Sequence, residues 1–300
     1  MKHSKFIQEQ YEIINQISND ARTILSVVKC IDESKKLSQN IVLKECVHSI
    51  VDNKCFSACS QLHNEFAIAS QFEHPNITRP IEIQQYYKGG CMLIFPQADC
   101  DGFDLFTKSI PQIDMVKNYI RSMASALAYI HNIDFAHNDF KLENVLCFKN
   151  QNGEIQFQLS DFGYSYSTQN KEEQVSNKIK QWDSRATLYF SPSIYSQISK
   201  KEFTEQCEKQ GDIFSLGYSL FIVLFQRRLS LKHEFTSDSP IYKNIIKFGK
   251  GFIQQKLKTS IQMSKEDYDL CIDLLIMMIK KEDSERITAL EILDHPFLKN

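Results

Sequence analysis

The sequence lacks a charge excess of either sign: 35 Lys and Arg stand against 37 Asp and Glu, a formal net charge of −2. A nucleic-acid-binding domain usually carries a basic surplus, so this balance argues against nucleic acid as the main partner. Apolar residues make up 42% of the chain and charged residues 24%. This is the composition of a folded globular protein, and it argues against a disordered or fibrous one.

Long apolar runs are also missing. The longest, Leu216–Phe225, is too short to span a bilayer, and the first ten residues contain no apolar core of a secretory signal. We therefore expect no membrane span and an intracellular, cytoplasmic location.

The cysteines form no familiar metal-binding or disulfide pattern. There are nine, an odd number without a CxxC pair, and the eight histidines include no HExxH arrangement. Cys55 and Cys59 have the spacing of one helix face, and we interpret them as packed apolar residues rather than as metal ligands. The pattern favours a reducing compartment.

The first hundred residues indicate a small sheet with one helix. Short β-branched runs between polar or Gly-Gly turns predict antiparallel strands. Apolar residues three or four apart predict a helix from about Asn53 to Phe72, which ends before His74-Pro75. The predicted strands are Tyr11–Ile17, Thr23–Cys30, Asn40–Lys44, Ile77–Ile83 and Cys91–Phe95.

After Phe95 the pattern changes to long helices. An amphipathic pattern predicts a helix over Met115–His131, and Ile213–Phe225 is apolar on almost every side, which predicts a buried central helix. Two further helices begin with capping boxes at Ser264 and Thr288. The most polar segments are predicted to be loops: Ser165–Asp183 and Ser196–Gly211.

A group of charged residues follows the first long helix. It reads His137-Asn138-Asp139-Phe140-Lys141-Leu142-Glu143-Asn144, and 17 residues after Asn144 comes Asp161-Phe162-Gly163. Together these resemble the catalytic loop and the metal-binding motif of the protein kinase family. Each motif alone is weak, because an isolated charge is commonly solvated and an isolated Asp-Phe-Gly is commonly a turn.

Further elements of the same family occur in order along nearly the whole chain. Ile41-Val42-Leu43-Lys44 resembles the strand with the nucleotide-binding lysine, and Glu65 resembles the helix glutamate that pairs with it. Asp212 resembles the aspartate of the central helix. Arg286, followed by His295-Pro296-Phe297, is similar to the closing segment of the family. The resemblance rests on this ordered set.

The resemblance implies an α+β, two-lobed protein-kinase-like fold, with a small antiparallel β-sheet lobe containing one main helix and a larger, mostly helical lobe. We expect residues 1–300 to be a single catalytic domain, with an N-lobe over 1–95, a hinge over 96–101 and a C-lobe over 102–300. The implied reaction moves the γ-phosphoryl of ATP, with Mg²⁺ or Mn²⁺, to a Ser or Thr hydroxyl of a protein substrate.

The resemblance also implies a role for each matching residue. Asp139 and Lys141 are the catalytic pair: the carboxylate accepts or orients the substrate hydroxyl, and the ammonium offsets charge on the transferred group. A lysine at 141 resembles serine/threonine kinases more than tyrosine kinases. Asn144 and Asp161 are the implied metal ligands. The implied ATP-binding residues are Lys44, Glu65, Val42, Pro96, Ala98, Asp104 and Leu146.

The sequence departs from the family pattern at three places. Asn15–Ala21 stands where relatives have a glycine-rich loop and contains no glycine, so we expect weaker nucleotide binding. Asn138 replaces an arginine that in many relatives reads a phosphate on the activation segment, so we do not expect activation through that pairing. Ser193 replaces the glutamate that usually pairs with Arg286, so we expect that ion pair to be missing and the substrate platform to be looser.

Three functions are consistent with these observations. An active protein serine/threonine kinase leads, because every residue that contacts transferred phosphate or metal is present. A pseudokinase that acts as a binding scaffold is the alternative, motivated by the missing glycines and by Ser193. A small-molecule kinase is opposed by Lys141 and by the Ser191-Pro192 platform. We expect no appended regulatory domain, which leaves control to a regulatory partner or to the polar loops.

Overall fold

The computed structural model describes residues 5–19, 23–31, 41–46, 54–86, 90–168, 189–194, 205–226 and 240–299. The chain divides into two compact units. The first contains the residues up to Asp99 together with Ser160–Tyr164, and the second contains Cys100–Leu159 and the residues from Ser165 onward. The boundary after Asp99 falls inside the range predicted for the hinge, whereas Ser160–Tyr164 lies outside the range predicted for the first lobe.

The first unit is built on a five-stranded antiparallel sheet with the order β1-β2-β3-β5-β4. The prediction of a small antiparallel sheet is therefore confirmed. Its strands are β1 Tyr11–Asn19, β2 Thr23–Cys30, β3 Ile41–Cys46, β4 Glu82–Tyr86 and β5 Gly90–Pro96.

The fourth strand lies later in the chain than the sequence predicts. The run Ile77–Ile83 was expected to be a strand, but Ile77 forms only an isolated bridge and β4 begins at Glu82. Pro80 interrupts the predicted run, and proline has no N–H to donate to a ladder. A prediction made from apolar β-branched residues alone therefore places this strand too early in the chain.

Two helices accompany the sheet, α1 over Lys5–Gln10 and α2 over Lys54–Ala69. Because side chains alternate along a strand, Lys44 and Cys46 share one face of β3 while Leu43 lies on the other. One apolar cluster contains Ile7, Tyr11, Val28, Ile41, Leu43, Met92 and Ile94, and a second contains Cys46, Cys59, Leu62, Cys91 and Leu93. The second cluster joins α2 to the face that carries Lys44.

The second unit is mainly helical, as the sequence predicts. Its short strands pair as β6-β8-β9 and β7-β10. Its elements are β6 Cys100–Asp101, α3 Gly102–Lys108, α4 Ile113–Asn132, β7 Phe135–Ala136, β8 Val145–Lys149, β9 Ile155–Leu159, β10 Tyr166–Ser167, α5 Glu205–Phe225, α6 Pro240–Lys256, α7 Lys265–Met278, α8 Ala289–Asp294 and α9 Pro296–Lys299.

The bounds of the helices that the sequence predicts are close to the observed ones except at α5. Both predicted caps are present: the side chain of Ser264 accepts from the N–H of Asp267, and Thr288 forms a capping box with Glu291. However, α5 begins at Glu205, so the predicted loop over Ser196–Gly211 is wrong for its last seven residues. Those residues are mostly polar helix formers without an apolar stripe, so their periodicity gave no helix signal.

A smaller correction applies to the other predicted loop, Ser165–Asp183, where Tyr166–Ser167 forms a strand and the residues after 168 lie outside the described ranges.

The buried faces of α4 and α5 are linked by a hydrogen bond of 2.6 Å between Tyr119 and Ser219. Among the described helices, none combines the length and the apolar character needed to cross a membrane.

Candidate active site

In the first unit, β3 and α2 bring Lys44 and Glu65 together. The ammonium of Lys44 donates to Glu65 Oε2 at 2.8 Å and to Asp161 Oδ1 at 3.0 Å. The Glu65 side chain is only 3% exposed and that of Lys44 17%, so the ion pair is largely shielded from solvent. One ammonium is thus shared between two carboxylates, and its flexible stem is held in one direction.

Burial and charge shift the pKa values of this group. Burial alone would lower the pKa of Lys44, but the attraction of Asp161 and Glu65 raises it above its ordinary range. Burial raises the pKa of Glu65 to about 7, because the attraction of Lys44 offsets only part of the lost hydration and Asp161 adds a second negative charge. Lys44 therefore stays charged while Glu65 is close to titrating at neutral pH.

The Asp-Phe-Gly turn explains why Ser160–Tyr164 belongs to the first unit. The ring of Phe162 packs against that of Phe72, with 5.1 Å between centroids. Asp161 has a positive φ of 62°, a conformation that Asp tolerates better than most residues. At Gly163, a Cβ would lie 3.3 Å from Asp161 Oδ1 and 3.5 Å from Glu65 Oε2. The glycine therefore leaves room for the carboxylates beside Lys44.

In the second unit, Asp139, Lys141 and Asn144 form a compact polar group. Lys141 Nζ donates to Asp139 Oδ2 at 2.9 Å. Asn144 Nδ2 donates to the Asp139 carbonyl oxygen at 2.8 Å and to Oδ2 at 3.1 Å. Asp139 and Asn144 are both buried. Three residues that the sequence singled out thus share one set of hydrogen bonds.

Asp212 on α5 fixes the backbone before Asp139. Its carboxylate accepts the N–H groups of His137 and Asn138, each at 2.8 Å, and lies 3.0 Å from Nε2 of His131. Asn138 has a positive φ of 62°, which asparagine tolerates. His137 is fully buried, and its Nδ1 accepts the N–H of Asp139 at 3.2 Å. A single carboxylate therefore sets the path of the loop.

The remaining predicted ATP-binding residues are divided between the units. In the first, Val42 on β3 pairs with Phe95, Pro96 ends β5, and Ala98 follows it. In the second, Asp104 lies in the first turn of α3, where its carboxylate pairs with Lys108 at 2.6 Å. Leu146 is half-buried on β8.

Arg286 has a carboxylate partner even though Ser193 replaces the glutamate that usually pairs with it. Asp283, three residues before it, pairs with its guanidinium at 2.8 Å. Ser193 Oγ donates to the same carboxylate at 2.6 Å. The Arg286 side chain is completely buried, so a nearby negative charge is needed there. Asp283 takes the place of the missing glutamate, and only its spacing from Arg286 marks it in the sequence.

These features define an α+β protein of the protein-kinase-like class, with a lysine–glutamate pair between a strand and a helix and an anchored aspartate in a helical unit. A family model described as a protein kinase domain matches residues 23–298. The chain belongs to the protein kinase family, whose members typically bind ATP. The match begins at the first residue of β2, so β1 precedes it.

Curated relatives agree with this assignment. Serine/threonine-protein kinase 33 of Mus musculus is 27% identical over 251 residues, covering 81% of this chain and 46% of the relative. Calcium-dependent protein kinase 6 of Plasmodium berghei is 30% identical over 245 residues, covering 80% and 14%. Serine/threonine-protein kinase ATG1c of Arabidopsis thaliana is 25% identical over 254 residues, covering 80% and 30%. The chain spans less than half the length of each of these three relatives.

Proposed function

We propose that the chain is an active, ATP-dependent protein serine/threonine kinase that transfers the γ-phosphoryl of magnesium-ATP to a protein hydroxyl. The observation that carries this proposal is the group around Asp139, whose carboxylate lies 2.9 Å from Lys141 Nζ and 3.1 Å from Asn144 Nδ2. These are the residue types that phosphoryl transfer requires next to the attacking hydroxyl.

Asp139 has the central role in this mechanism. Its carboxylate orients the substrate hydroxyl and accepts its proton as the oxygen attacks. Lys141 holds the carboxylate and offsets negative charge on the transferred phosphoryl group. Because Asp212 fixes the preceding N–H groups, the carboxylate is positioned before substrate arrives, which lowers the reorganisation that the reaction requires.

Lys44 is the proposed phosphate-binding residue of the first unit. Its ammonium binds the α- and β-phosphates, and Glu65 keeps it pointing in one direction. The raised pKa of Lys44 keeps that group cationic at every working pH. It is therefore suited to binding an anionic nucleotide.

The donor set fits magnesium. Asp161 and Asn144 offer carboxylate and carboxamide oxygens, the ligands that this hard cation prefers. Asn144 directs its Nδ2 at Asp139, so its oxygen is the ligand atom. When held by these two residues, the ion would supply positive charge that offsets the phosphate oxygens. Manganese has similar ligand preferences and is an alternative metal.

The other residues in the proposed nucleotide site bind the base and the ribose. The carbonyl of Pro96 accepts from the adenine amino group, and the N–H of Ala98 donates to the ring; proline lacks only the N–H, which this position does not use. Val42 and Leu146 contact the faces of the base. Asp104 binds the ribose hydroxyls in exchange for its exposed pair with Lys108.

The substrate class is a protein with Ser or Thr hydroxyls, supported by Lys141 and by the serine/threonine kinase names of the relatives. Asn138 offers no cation for a phosphorylated activation segment, so we propose control by a regulatory partner instead. The odd number of cysteines without paired spacing favours an intracellular, reducing compartment.

A second function, a pseudokinase scaffold, is favoured by one observation. The segment Asn15–Ala21 contains no glycine, and Asn15–Asn19 continues β1 instead of forming a glycine turn. Backbone amides approach phosphates closely where glycine allows the chain to bend. Weak nucleotide binding without transfer would follow from this feature.

The test is transfer of labelled γ-phosphate to a generic protein substrate and to the chain itself, with magnesium or manganese. We expect transfer by the wild type and a fall of about two to four orders of magnitude in Asp139→Asn. Asp114→Asn, which makes the same change on an exposed turn of α4, is the matched control and should retain activity. Absence of transfer by folded wild-type protein would favour the scaffold.

A further inference from the structure

Three buried cysteines lie together where α2 covers the sheet. Cys46 ends β3, Cys91 lies on the neighbouring β5, and Cys59 extends from α2. Their sulfur atoms all lie within 4.8 Å of one another. The spacing of Cys55 and Cys59 did not predict this group, because strand register brings Cys46 and Cys91 together from 45 residues apart.

The sulfur separations distinguish two kinds of chemistry. The sulfurs of Cys46 and Cys59 are 2.7 Å apart. A disulfide bond is about 2.0 Å long, whereas two thiolates on one tetrahedral zinc ion, each about 2.3 Å from the metal, are about 3.8 Å apart. The observed separation is nearer to a covalent bond than to an edge of a metal site.

We propose that Cys46 and Cys59 are a redox-sensitive pair, which a peroxide oxidises to a disulfide that joins β3 to α2. The backbone N–H of Cys91 donates to Cys46 Sγ at 3.2 Å and so favours the thiolate of that sulfur. Hydrogen bonding with Cys46 and burial raise the pKa of the Cys91 thiol, which therefore stays protonated and out of the reaction. Disulfides inside cells are commonly of this transient, sensing kind.

Cys59 is placed to meet the oxidant first. It is 9% exposed, against 1% for Cys46 and for Cys91. The nearest cavity among the described residues, of about 110 Å³, is the one lined by Lys44 and Glu65, and its wall includes sequence and sheet neighbours of the pair: Thr23, which pairs with Cys46, and Leu62, three residues after Cys59. A molecule as small as hydrogen peroxide fits such a space.

The proposed reaction has two displacements. The Cys59 thiolate attacks one peroxide oxygen, the O–O bond breaks, and the other oxygen leaves as hydroxide and takes up a proton to become water. The Cys46 thiolate then attacks the sulfur of the Cys59 sulfenic acid, the S–O bond breaks, and a second water leaves. In sum, two thiols and one hydrogen peroxide give one disulfide and two waters, and the peroxide oxygens gain the two electrons that the sulfurs lose.

The bond would join the two elements that hold the Lys44–Glu65 pair. Cys46 is two residues after Lys44 on β3, and Cys59 is six residues before Glu65 on α2. Because the sulfurs are close while Lys44 and Glu65 are 2.8 Å apart, oxidation would fix α2 in the paired position. The closed loop of Cys46–Cys59 also restricts the unfolded chain, which raises the unfolding temperature.

The test treats the full chain with hydrogen peroxide, blocks remaining thiols with an alkylating reagent, and maps linked tryptic peptides by mass spectrometry. Cleavage after Lys44 and Lys54 separates Cys46 from Cys59, and fragment ions distinguish Cys59 from Cys55 on the shared peptide. We expect a Cys46–Cys59 link that dithiothreitol removes, together with a rise in Tm of about 5 °C. Cys59→Ala should lack both effects, and Cys91→Ala, the matched control, should keep both.

Several results would overturn the proposal: a link through Cys55 or Cys91 as the main product, sulfinic acid on both thiols without a link, or one tightly held zinc ion that protects all three thiols from alkylation. The wild-type peptide map is decisive even where a variant does not fold. None of these readouts uses phosphate transfer, so failure here is distinguishable from failure of the proposed kinase activity.

Discussion

At the scale of single residues, Asp283 shows how one side chain compensates for the loss of another. Ser193 stands where the family has a glutamate, so this position supplies no carboxylate. The buried Arg286 guanidinium still requires one. Asp283 meets that need and also accepts from Ser193, 90 residues away in sequence. No motif joins these three residues, so only the folded chain reveals the substitution.

Replacing Asp283 should therefore destabilise the second unit. Asp283→Ala leaves the buried Arg286 without its carboxylate, and we expect a loss of about 3 kcal/mol in the free energy of unfolding. Denaturant titration measures this. Asp294→Ala is the matched control, because that carboxylate pairs with Lys299 at an exposed site where an ion pair contributes little. Equal losses in the two variants would contradict the compensating role.

Glu65 should make stability depend on pH near neutrality. Its pKa is 4.5 as a reference value and about 7 in the folded protein. Between these values the folded protein binds more protons than the unfolded chain, so the free energy of unfolding contributed by this group falls as pH rises. Titrations with denaturant across this range should show that fall in wild type and a smaller one in Glu65→Gln. Glu82→Gln, at an exposed site, should show the same pH dependence as wild type. If the free energy of unfolding of Glu65→Gln fell with pH as steeply as that of wild type, the raised pKa of Glu65 would be contradicted.

At the scale of elements, local chemistry predicts some bounds well and others poorly. The run Thr23–Cys30 is both the predicted and the observed β2, because its β-branched residues are bounded by polar turns. The caps at Ser264 and Thr288 are equally local. In contrast, the polar start of α5 has no apolar periodicity, although Glu208 and Gln210 are buried in the structure.

The candidate site shows the same division. The family resemblance singled out Lys44, Glu65 and Asp161, and the structure brings them together. The contact between Cys46 and Cys91 could not be predicted without the register of the sheet. Pairing between strands that are distant in sequence decides which side chains meet.

The packing of α5 on α7 should not tolerate a side chain at Gly217. A Cβ there would lie 2.7 Å from Met278 Cβ and 2.8 Å from Ile279 Cγ2, closer than side chains can approach. Gly217→Ala should cost about 1 to 3 kcal/mol of stability through overpacking. Gly251→Ala on α6, where a Cβ meets nothing within 4 Å, is the control and should be neutral or slightly stabilising. A neutral Gly217→Ala would show that the helices move apart easily.

The end of β1 should limit the binding of ATP. Asn19 ends β1, in the segment that stands where the family has its glycine-rich loop, and it carries a side chain that glycine lacks. Asn19→Gly should lower the KM for ATP about threefold, since easing the backbone by roughly 0.7 kcal/mol has that effect. Gln16→Gly, within the same strand, should not improve it. An unchanged or higher KM in Asn19→Gly would show that backbone stiffness at this position is not the defect.

At the scale of the whole molecule, the proposed reaction uses residues of both units. The first supplies Lys44, Glu65 and Asp161, and the second supplies Asp139 and Asn144. The family match over residues 23–298 includes all of them. Nucleotide that binds only the folded chain should stabilise it against unfolding.

Thermal unfolding with magnesium-ATP measures this stabilisation. At a ligand concentration one hundred times the Kd, the folded state should gain about 2.7 kcal/mol, which appears as a rise in Tm. Asp161→Asn removes a proposed carboxylate ligand and should lose most of the magnesium-dependent part of the rise, whereas Asp114→Asn should keep it. An equal rise in Asp161→Asn would place the metal elsewhere.

The anchoring of the catalytic loop by Asp212 also has a consequence for the order of folding. The N–H groups of His137 and Asn138 bond to an acceptor that lies 75 and 74 residues later in the chain. A ribosome releases the loop at His137 and Asn138 well before it releases Asp212. The early nascent chain therefore contains the loop residues but not the carboxylate that fixes their conformation. The proposed activity can therefore arise only after α5 is synthesised and docks.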